Sequence, residues 1–480
     1  MKAILEKGGL LIYKNDMKKT RVLKFGGSSV AGPGEIRNVI GILEGYTGTV
    51  RTLVVVISAQ AGITNKLVRL CDMIAGKDMG TINLINEIEE QHLATIKELV
   101  PVSNQPSYLA SVITLCNELS DITRGALLVG EVTPRTRDLV LSFGERLSAM
   151  VFCFAVKELL GPVEYSDSRE YIVTDSGFGS ARIDFGLTNK LVREYYHGRE
   201  GLIIATGFIA RNASGQTTTL GRSGSDYTAS VIGAALDADI VEIWSDTDGI
   251  MTADPRVVNG ARTIAMLSYS EAMELSNFGA RILFPASIQP AMEKKIPILV
   301  RNTFNPSHPG TMVNGKTDSS AGFIKGIASL GGISVINIEG SGMVGVAGFS
   351  ARLFTSLWNN NISVILISQA SSEHSICLAL LSDVSERACK VIEQTFAADL
   401  GSGLISSVKK ESDLAIIAVV GEQMRNRPGV AAEVFGPLGK RGINIKAISQ
   451  GSSEQNISFV IREEDLTDSL NILHCHMFGN

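Results

Sequence analysis

A lysine followed by paired glycines at the end of an apolar run is suited to holding phosphates, and the chain offers one in Lys24-Phe25-Gly26-Gly27-Ser28-Ser29. The glycines let the backbone approach an anion, and a helix starting near Pro33 would aim its N–H groups the same way. Lys24 puts a mobile cation where charge develops in phosphoryl transfer. The run is not a Walker motif, which needs GxxxxGKS/T, and such a turn is equally a plain strand-to-helix connection. Ser58-Ala59-Gln60-Ala61-Gly62-Ile63-Thr64-Asn65 places small residues and hydroxyls after a second apolar strand, where open parallel sheets bind ligands. Ser142-Phe143-Gly144-Glu145-Arg146 offers a carboxylate able to hold an ammonium group, unless Glu145 is a surface acid paired with Arg146. Thr206-Gly207-Phe208 and then Thr217 through Asp226 lead through glycine turns to Arg222, the usual bidentate grip for a carboxylate. Ser225 and Asp226 follow at an expected helix start, where Asp226 could equally be an N-cap residue.

These runs need a scaffold. Over 21–310, apolar strands at Arg21–Phe25, Leu53–Ser58, Leu202–Phe208 and Val241–Ser245 alternate with helical patterns such as Ile36–Tyr46 and Asp226–Leu236. That alternation predicts an α/β sandwich with a mainly parallel central sheet. From residue 311 the pattern changes to an internal repeat. A shift of 81 places superimposes Gly340 on Gly421, Met343 on Met424, Ala351 on Ala432 and Phe354 on Phe435. The same shift lays Ser368-Gln369-Ala370-Ser371-Ser372-Glu373 on Ser449-Gln450-Gly451-Ser452-Ser453-Glu454. Each copy reads strand, helix (Val346–Trp358; Val430–Arg441), strand (Ile362–Ser368; Ile443–Ser449), strand, helix, a ferredoxin-like βαββαβ unit. The first copy has a last strand available at Leu404–Lys409, whereas the second runs out after its final helix. Phe323–Leu330 is free to supply the missing strand, so module 1 (about 332–410) is expected to be inserted into module 2 (about 322–330 plus 413–480).

Composition bounds the rest. With 480 residues, two or three domains are expected, and a net charge of −5 leaves no electrostatic footprint for nucleic acid or an anionic membrane. No apolar run of transmembrane length is apparent, and residues 1–20, which lack a signal-peptide core, read as a flexible extension or an edge strand. Six scattered cysteines without a CxxC pair fit reduced thiols in a cytoplasmic protein. No metal site is expected: His474 and His476 are close in sequence but read as surface residues without further ligands.

In this order, KFGGSS, SAQAGITN, SFGER, TTTLGRSGSDY, WSDTDGIMTADPR and SYSEAMELSNFGARILFP resemble the aspartate kinases of the amino-acid kinase superfamily. The resemblance runs from about Val22 to the C-terminus, and the repeat is similar to a pair of ACT modules. It implies phosphorylation of the L-aspartate β-carboxylate by ATP with Mg²⁺, at the head of lysine, threonine and methionine biosynthesis. Lys24, Gly26, Gly27 and Ser28 would hold the phosphates, while Ser58, Thr64, Glu145, Arg222 and Ser225 would bind aspartate, with Arg222 on its α-carboxylate. Asp226 would orient Lys24 and the substrate amine. Ser245, Asp246, Met251, Arg256 and Arg281 would line the nucleotide site, although Met251 stands where the family often has tyrosine and Arg281 where lysine is common. An amino-acid effector would bind the ACT modules, which also imply a homodimer or homotetramer. Ile365 occupies the place of an acid found in lysine-sensitive relatives, and the glutamines Gln369 and Gln450 are similar to those of the threonine-responsive class; threonine is therefore expected and lysine is the alternative. The length leaves no room for a homoserine dehydrogenase domain, so a monofunctional kinase or the kinase half of a fusion is expected. Two rivals remain: a kinase acting on glutamate or a similar carboxylate, and a non-catalytic amino-acid sensor.

Overall fold

The computed structural model describes residues 20–279, 283–316, 322–340, 348–369 and 374–479, together with the backbone of an N-terminal antiparallel pair, Ala3–Leu5 with Leu11–Tyr13. Arg281 and residues 370–373 lie outside the described residues. The chain forms two compact units, and the division is not a single cut in sequence. The first comprises 1–250, 265–269 and 282–316; the second comprises 251–264, 270–281 and 317–480.

The first unit is built on an eight-stranded sheet. Its strands, in chain order, are β1 (Thr20–Phe25), β2 (Thr52–Ile57), β3 (Glu164–Ser166), β4 (Gly201–Thr206), β5 (Ile240–Ser245), β6 (Met266–Ser268), β7 (Ile298–Asn302) and β8 (Thr311–Asn314). They lie in the order β6-β8-β7-β5-β1-β2-β4-β3, and every pair is parallel except β7 with β8. The sequence of β2, TLVVVI, is buried at all six positions, as expected for a strand with both faces covered. Register places Phe25, Ile57 and Thr206 side by side, with Trp244 opposite Phe25, so the carboxyl ends of four central strands open onto one edge.

The apolar helix Pro134–Leu159 has a mean hydropathy of 1.7 over its most apolar stretch, long and apolar enough on those grounds to cross a membrane. The expectation of no such run therefore fails on length and composition. Burial accounts for the apolarity: 78% of that stretch is inside the protein, where Phe143, Leu147 and Val151 join the core of the neighbouring helices and Phe152 and Val156 pack under the sheet.

The second unit carries a six-stranded antiparallel sheet of β9 (Gly326–Glu339), β10 (Leu366–Gln369), β11 (Ser375–Leu381), β12 (Ser407–Val420), β13 (Ala447–Gln450) and β14 (Asn456–Arg462), in the order β10-β11-β9-β12-β14-β13. Strands β9 and β12 are each 14 residues long and serve both repeats. Ile333–Glu339 of β9 pairs with β11 and with the first half of β12, whereas Gly326–Leu330 pairs with Ile416–Val420, which in turn pairs with β14. Strands β10 and β13 begin about four residues later than their apolar patterns suggest. The reason is local: Ile362 N donates to Leu357 O and Ile443 N to Leu438 O, so both segments first close the C-termini of the preceding helices.

Candidate active site

The phosphate loop leaves β1 at Phe25. Gly26 N donates to Trp244 O (3.3 Å), and a short 3₁₀ turn, Gly27–Val30, leads to the helix Pro33–Glu44, which carries proline in its first turn. A Cβ on Gly27 would meet Ala59 O at 2.6 Å, so glycine is what allows the loops after β1 and β2 to approach each other. Lys24 Nζ lies 2.6 Å from Asp226 Oδ1, and the two side chains are only 13% and 8% exposed. Gly26 packs beside that ammonium. A fixed cation, glycine backbone and a helix N-terminus on one sheet edge fit a polyphosphate.

Asp226 is not the N-cap. That position is Ser223, in the left-handed region at φ 53°, and Asp226 lies inside the first turn of the helix Gly224–Ala235. The turn is pressed against β4: a Cβ on Gly207 would meet Ser225 Oγ at 2.5 Å. Ser225 is buried, while Arg222, just before the helix, is exposed.

Nor is Glu145 a surface acid. Arg146 instead forms a two-pronged pair with Glu118 (3.1 and 2.7 Å) and stacks over Phe143. Glu145 turns inward, where its Oε1 accepts from Ala59 N (3.2 Å) and its buried Oε2 has no hydrogen-bond partner. Burial pushes the carboxyl up to about 8, against the opposing pull of the Ala59 N–H, a further backbone N–H and the Lys24 charge. An unsatisfied buried carboxyl oxygen calls for a donor, and an ammonium group supplies one. Ser58 is partly exposed just after β2, and Thr64 is exposed in the first turn of the helix Ile63–Ala75; Glu145 reaches the segment between them through Ala59 N.

On the other side of β1, Ser245 ends β5 and Asp246 is exposed after it. The following turn is organised by Asp248, whose Oδ1 accepts from Asn302 Nδ2 (2.8 Å) and Asn305 Nδ2 (3.0 Å). Met251 and Arg256 belong to the second unit. There Thr263 Oγ1 contacts Met251 Sδ (3.5 Å), and Arg256 folds onto Asp254 at 2.6 Å. Gln369 and Gln450 are exposed at the ends of β10 and β13, whose adjacent residues are joined by a hydrogen bond from Ser368 Oγ to Ile448 O (3.1 Å).

Sequence reasoning missed three residues. Asp138 is fully buried and accepts from Gly179 N, Thr219 N and Thr219 Oγ1; its position in a charged run, PRTRD, gave no sign of burial. Asp248 carries a polar turn, and only the fold reveals its asparagine partners. His474 is no surface residue: it is buried and its Nε2 is hydrogen-bonded with Thr252 Oγ1 (2.9 Å), while His476 is exposed and paired with Glu433.

Comparison with known proteins places these features in a family. Residues 19–302 match the amino acid kinase family, and 336–396 and 417–477 each match the ACT domain. A bifunctional aspartokinase/homoserine dehydrogenase 2 of Zea mays is 34% identical over 466 residues, covering 95% of this chain and 50% of the relative. The chain thus spans about half the length of the bifunctional relatives it matches. Aspartokinase 1 of Arabidopsis thaliana is 32% identical over 471 residues, 80% of its length. Among solved structures, E. coli aspartokinase III in complex with aspartate and ADP has a TM-score of 0.83 at 32% identity, covering 96% of this chain and 100% of the other. The same enzyme in complex with lysine and aspartate has a TM-score of 0.75.

Proposed function

This chain belongs to the amino acid kinase family, as an aspartokinase with tandem ACT domains, and from that premise we propose that it transfers the γ-phosphoryl group of ATP to the β-carboxylate of L-aspartate. The observation that carries this reading is Lys24 held on Asp226 beside the glycine loop, with the unsatisfied Glu145 carboxyl of the helix Phe143–Leu159 bonded to the neighbouring loop at Ala59 N. The acceptor carboxylate has an unperturbed pKa of roughly 4 and is already an anion at neutral pH. It needs no general base, in keeping with the absence of histidine from the site's sequence runs. The barrier is the in-line approach of one anion to another, so positioning and positive charge do the catalysis. Lys24 neutralises charge on the phosphoryl oxygens, and Asp226 holds its ammonium in place. Glu145 receives the substrate's ammonium group, and Arg222 grips the α-carboxylate, leaving the β-carboxylate free toward Lys24. Magnesium, bound with the nucleotide, supplies further positive charge to the phosphates.

The test is ADP release over a panel of amino acids. Aspartate-dependent release with little from glutamate is expected; release driven by glutamate or by neither would sink the assignment.

For regulation, we propose threonine at the ACT pair and an oligomer built through it, in a reducing cytoplasmic compartment. Gln369 and Gln450, exposed at equivalent strand ends, support threonine, and Ile365 at the position of an expected acid disfavours lysine. Calorimetric titration with each amino acid decides: lysine binding without a threonine response would refute the choice.

A further inference from the structure

Asp138 is a costly residue to bury, and three bonds account for it. Its Oδ2 accepts from Gly179 N (3.0 Å) and Thr219 N (2.9 Å), and its Oδ1 accepts from Thr219 Oγ1 (2.9 Å). Asp138 is 0% exposed, and Thr219 is buried with it. An ionised carboxylate, which only accepts, is the side chain that satisfies three converging donors at once.

The elements these bonds join are the ones that carry the two ends of the amino-acid site. Asp138 sits on the first stretch of the apolar helix, Pro134–Leu141; Ser142 N donates to Asp138 O and Arg146 N to Ser142 O, so the helical bonding runs on through Glu145. Thr219 ends the strand Thr217–Thr219, three residues before Arg222. Gly179 belongs to a loop that braces the same turn: Ala181 N donates to Thr219 O (2.9 Å), and a Cβ on Gly221 would come within 2.9 Å of Ser180 Oγ. Asp138 therefore ties the helix of Glu145 to both backbone segments that set where Arg222 begins.

We propose that Asp138 is a positioning residue that fixes the spacing between the ammonium-binding Glu145 and the carboxylate-binding Arg222, and so sets the length of amino acid the site accepts. This rests on the functional reading above. Asp138 touches neither substrate and acts through the two residues that do.

The test is steady-state kinetics of the full chain. Asp138→Ala is expected to raise KM for aspartate by about tenfold or more, because small misplacements of binding groups are expensive, with KM for ATP unchanged. Asp138→Asn is expected to restore most of that loss: its carbonyl oxygen can accept from both backbone N–H groups while its amide donates to the Thr219 hydroxyl. A purely structural acid would lower the folded fraction, and hence apparent kcat, with both KM values unmoved; that result overturns the proposal. So does an Asn variant as impaired as Ala. Should Asp138→Ala not fold, Thr219→Val removes one of the three bonds at nearly constant volume and is expected to raise KM for aspartate roughly threefold; an unchanged KM there overturns the proposal equally. A wild-type chain inert toward aspartate would instead overturn the functional reading and this inference together.

Discussion

Lys24 Nζ and Asp226 Oδ1 are 2.6 Å apart, one from the first strand of the sheet and the other from the helix that follows the threonine run. The pair is nearly enclosed, so each member depends on the other. Removing one partner of such a pair typically costs about 3–5 kcal/mol, mostly because the remaining charge is stranded. Lys24→Ala is therefore expected to lower kcat about 10²–10³-fold, the scale for losing one charge-stabilising donor, and to lower Tm as well. Lys24→Ala combined with Asp226→Ala should recover much of the Tm without recovering turnover. Near-normal kcat in the single variant would remove Lys24 from the mechanism.

Glu145 predicts a pH dependence. Its folded carboxyl is raised from 4.5 to about 8, chiefly by burial, so the folded chain holds a proton that the unfolded chain has lost. Substrate-free stability should then fall as pH rises from 4.5 to about 8 and level off above that. Aspartate's ammonium favours the ionised carboxylate, so kcat/KM for aspartate should climb over the upper part of the same window. Glu145→Gln should flatten both profiles and lower kcat/KM roughly 10–100-fold, the worth of one hydrogen bond to a charged group. A stability profile unchanged by that substitution would show that the carboxyl titrates normally.

Gly207→Ala places a methyl 2.5 Å from Ser225 Oγ and 3.0 Å from Ser225 Cα. Backbone cannot yield as a flexible side chain can, so the first turn of the helix Gly224–Ala235 must shift. A loss of about 1–3 kcal/mol in stability is expected, with a raised KM for aspartate. Chemical denaturation and kinetics on the same sample would read both; a variant identical to wild type would mean that the turn is loosely held.

For the regulatory unit, the proposed threonine response predicts that Gln369→Ala and Gln450→Ala each weaken that response while leaving effector-free kcat unchanged. Allosteric coupling is typically about 1–3 kcal/mol, so a single lost contact can abolish it. Inhibition curves that superimpose on wild type would place the effector elsewhere.

Much of this was legible beforehand because parallel strands write themselves as apolar runs and each site loop follows one directly. The 81-residue register likewise exposed the duplication. What sequence could not give was direction. Glu145 stands next to Arg146 and looks paired with it, yet consecutive helical residues point different ways: Arg146 reaches Glu118 while Glu145 enters the site. Asp226 follows a serine and a glycine at a helix start and looks like a cap, but the left-handed Ser223 moves the start back and turns the acid inward. Asp138 was hidden because its three donors come from residues far along the chain. The boundary near 310 follows changes of pattern, whereas compactness follows contacts: 251–264 and 270–279 pack with the later unit, where His474 bonds Thr252 and Glu271 receives Glu422 N.

The two 14-residue strands Gly326–Glu339 and Ser407–Val420 bind the ACT copies into one interlocked object. The first copy is a continuous insertion that a pair of cuts near 331 and 413 removes whole, whereas the second is split around it and keeps its strand 326–330 only through the first, so deleting the first calls for rejoining 330 to 414. A circular rearrangement moving residues 322–330 behind the helix Leu466–Phe478 would undo the interlock and turn the pair into separable beads. Expressed that way, each bead should fold without its twin, a freedom the natural order of the chain denies the second.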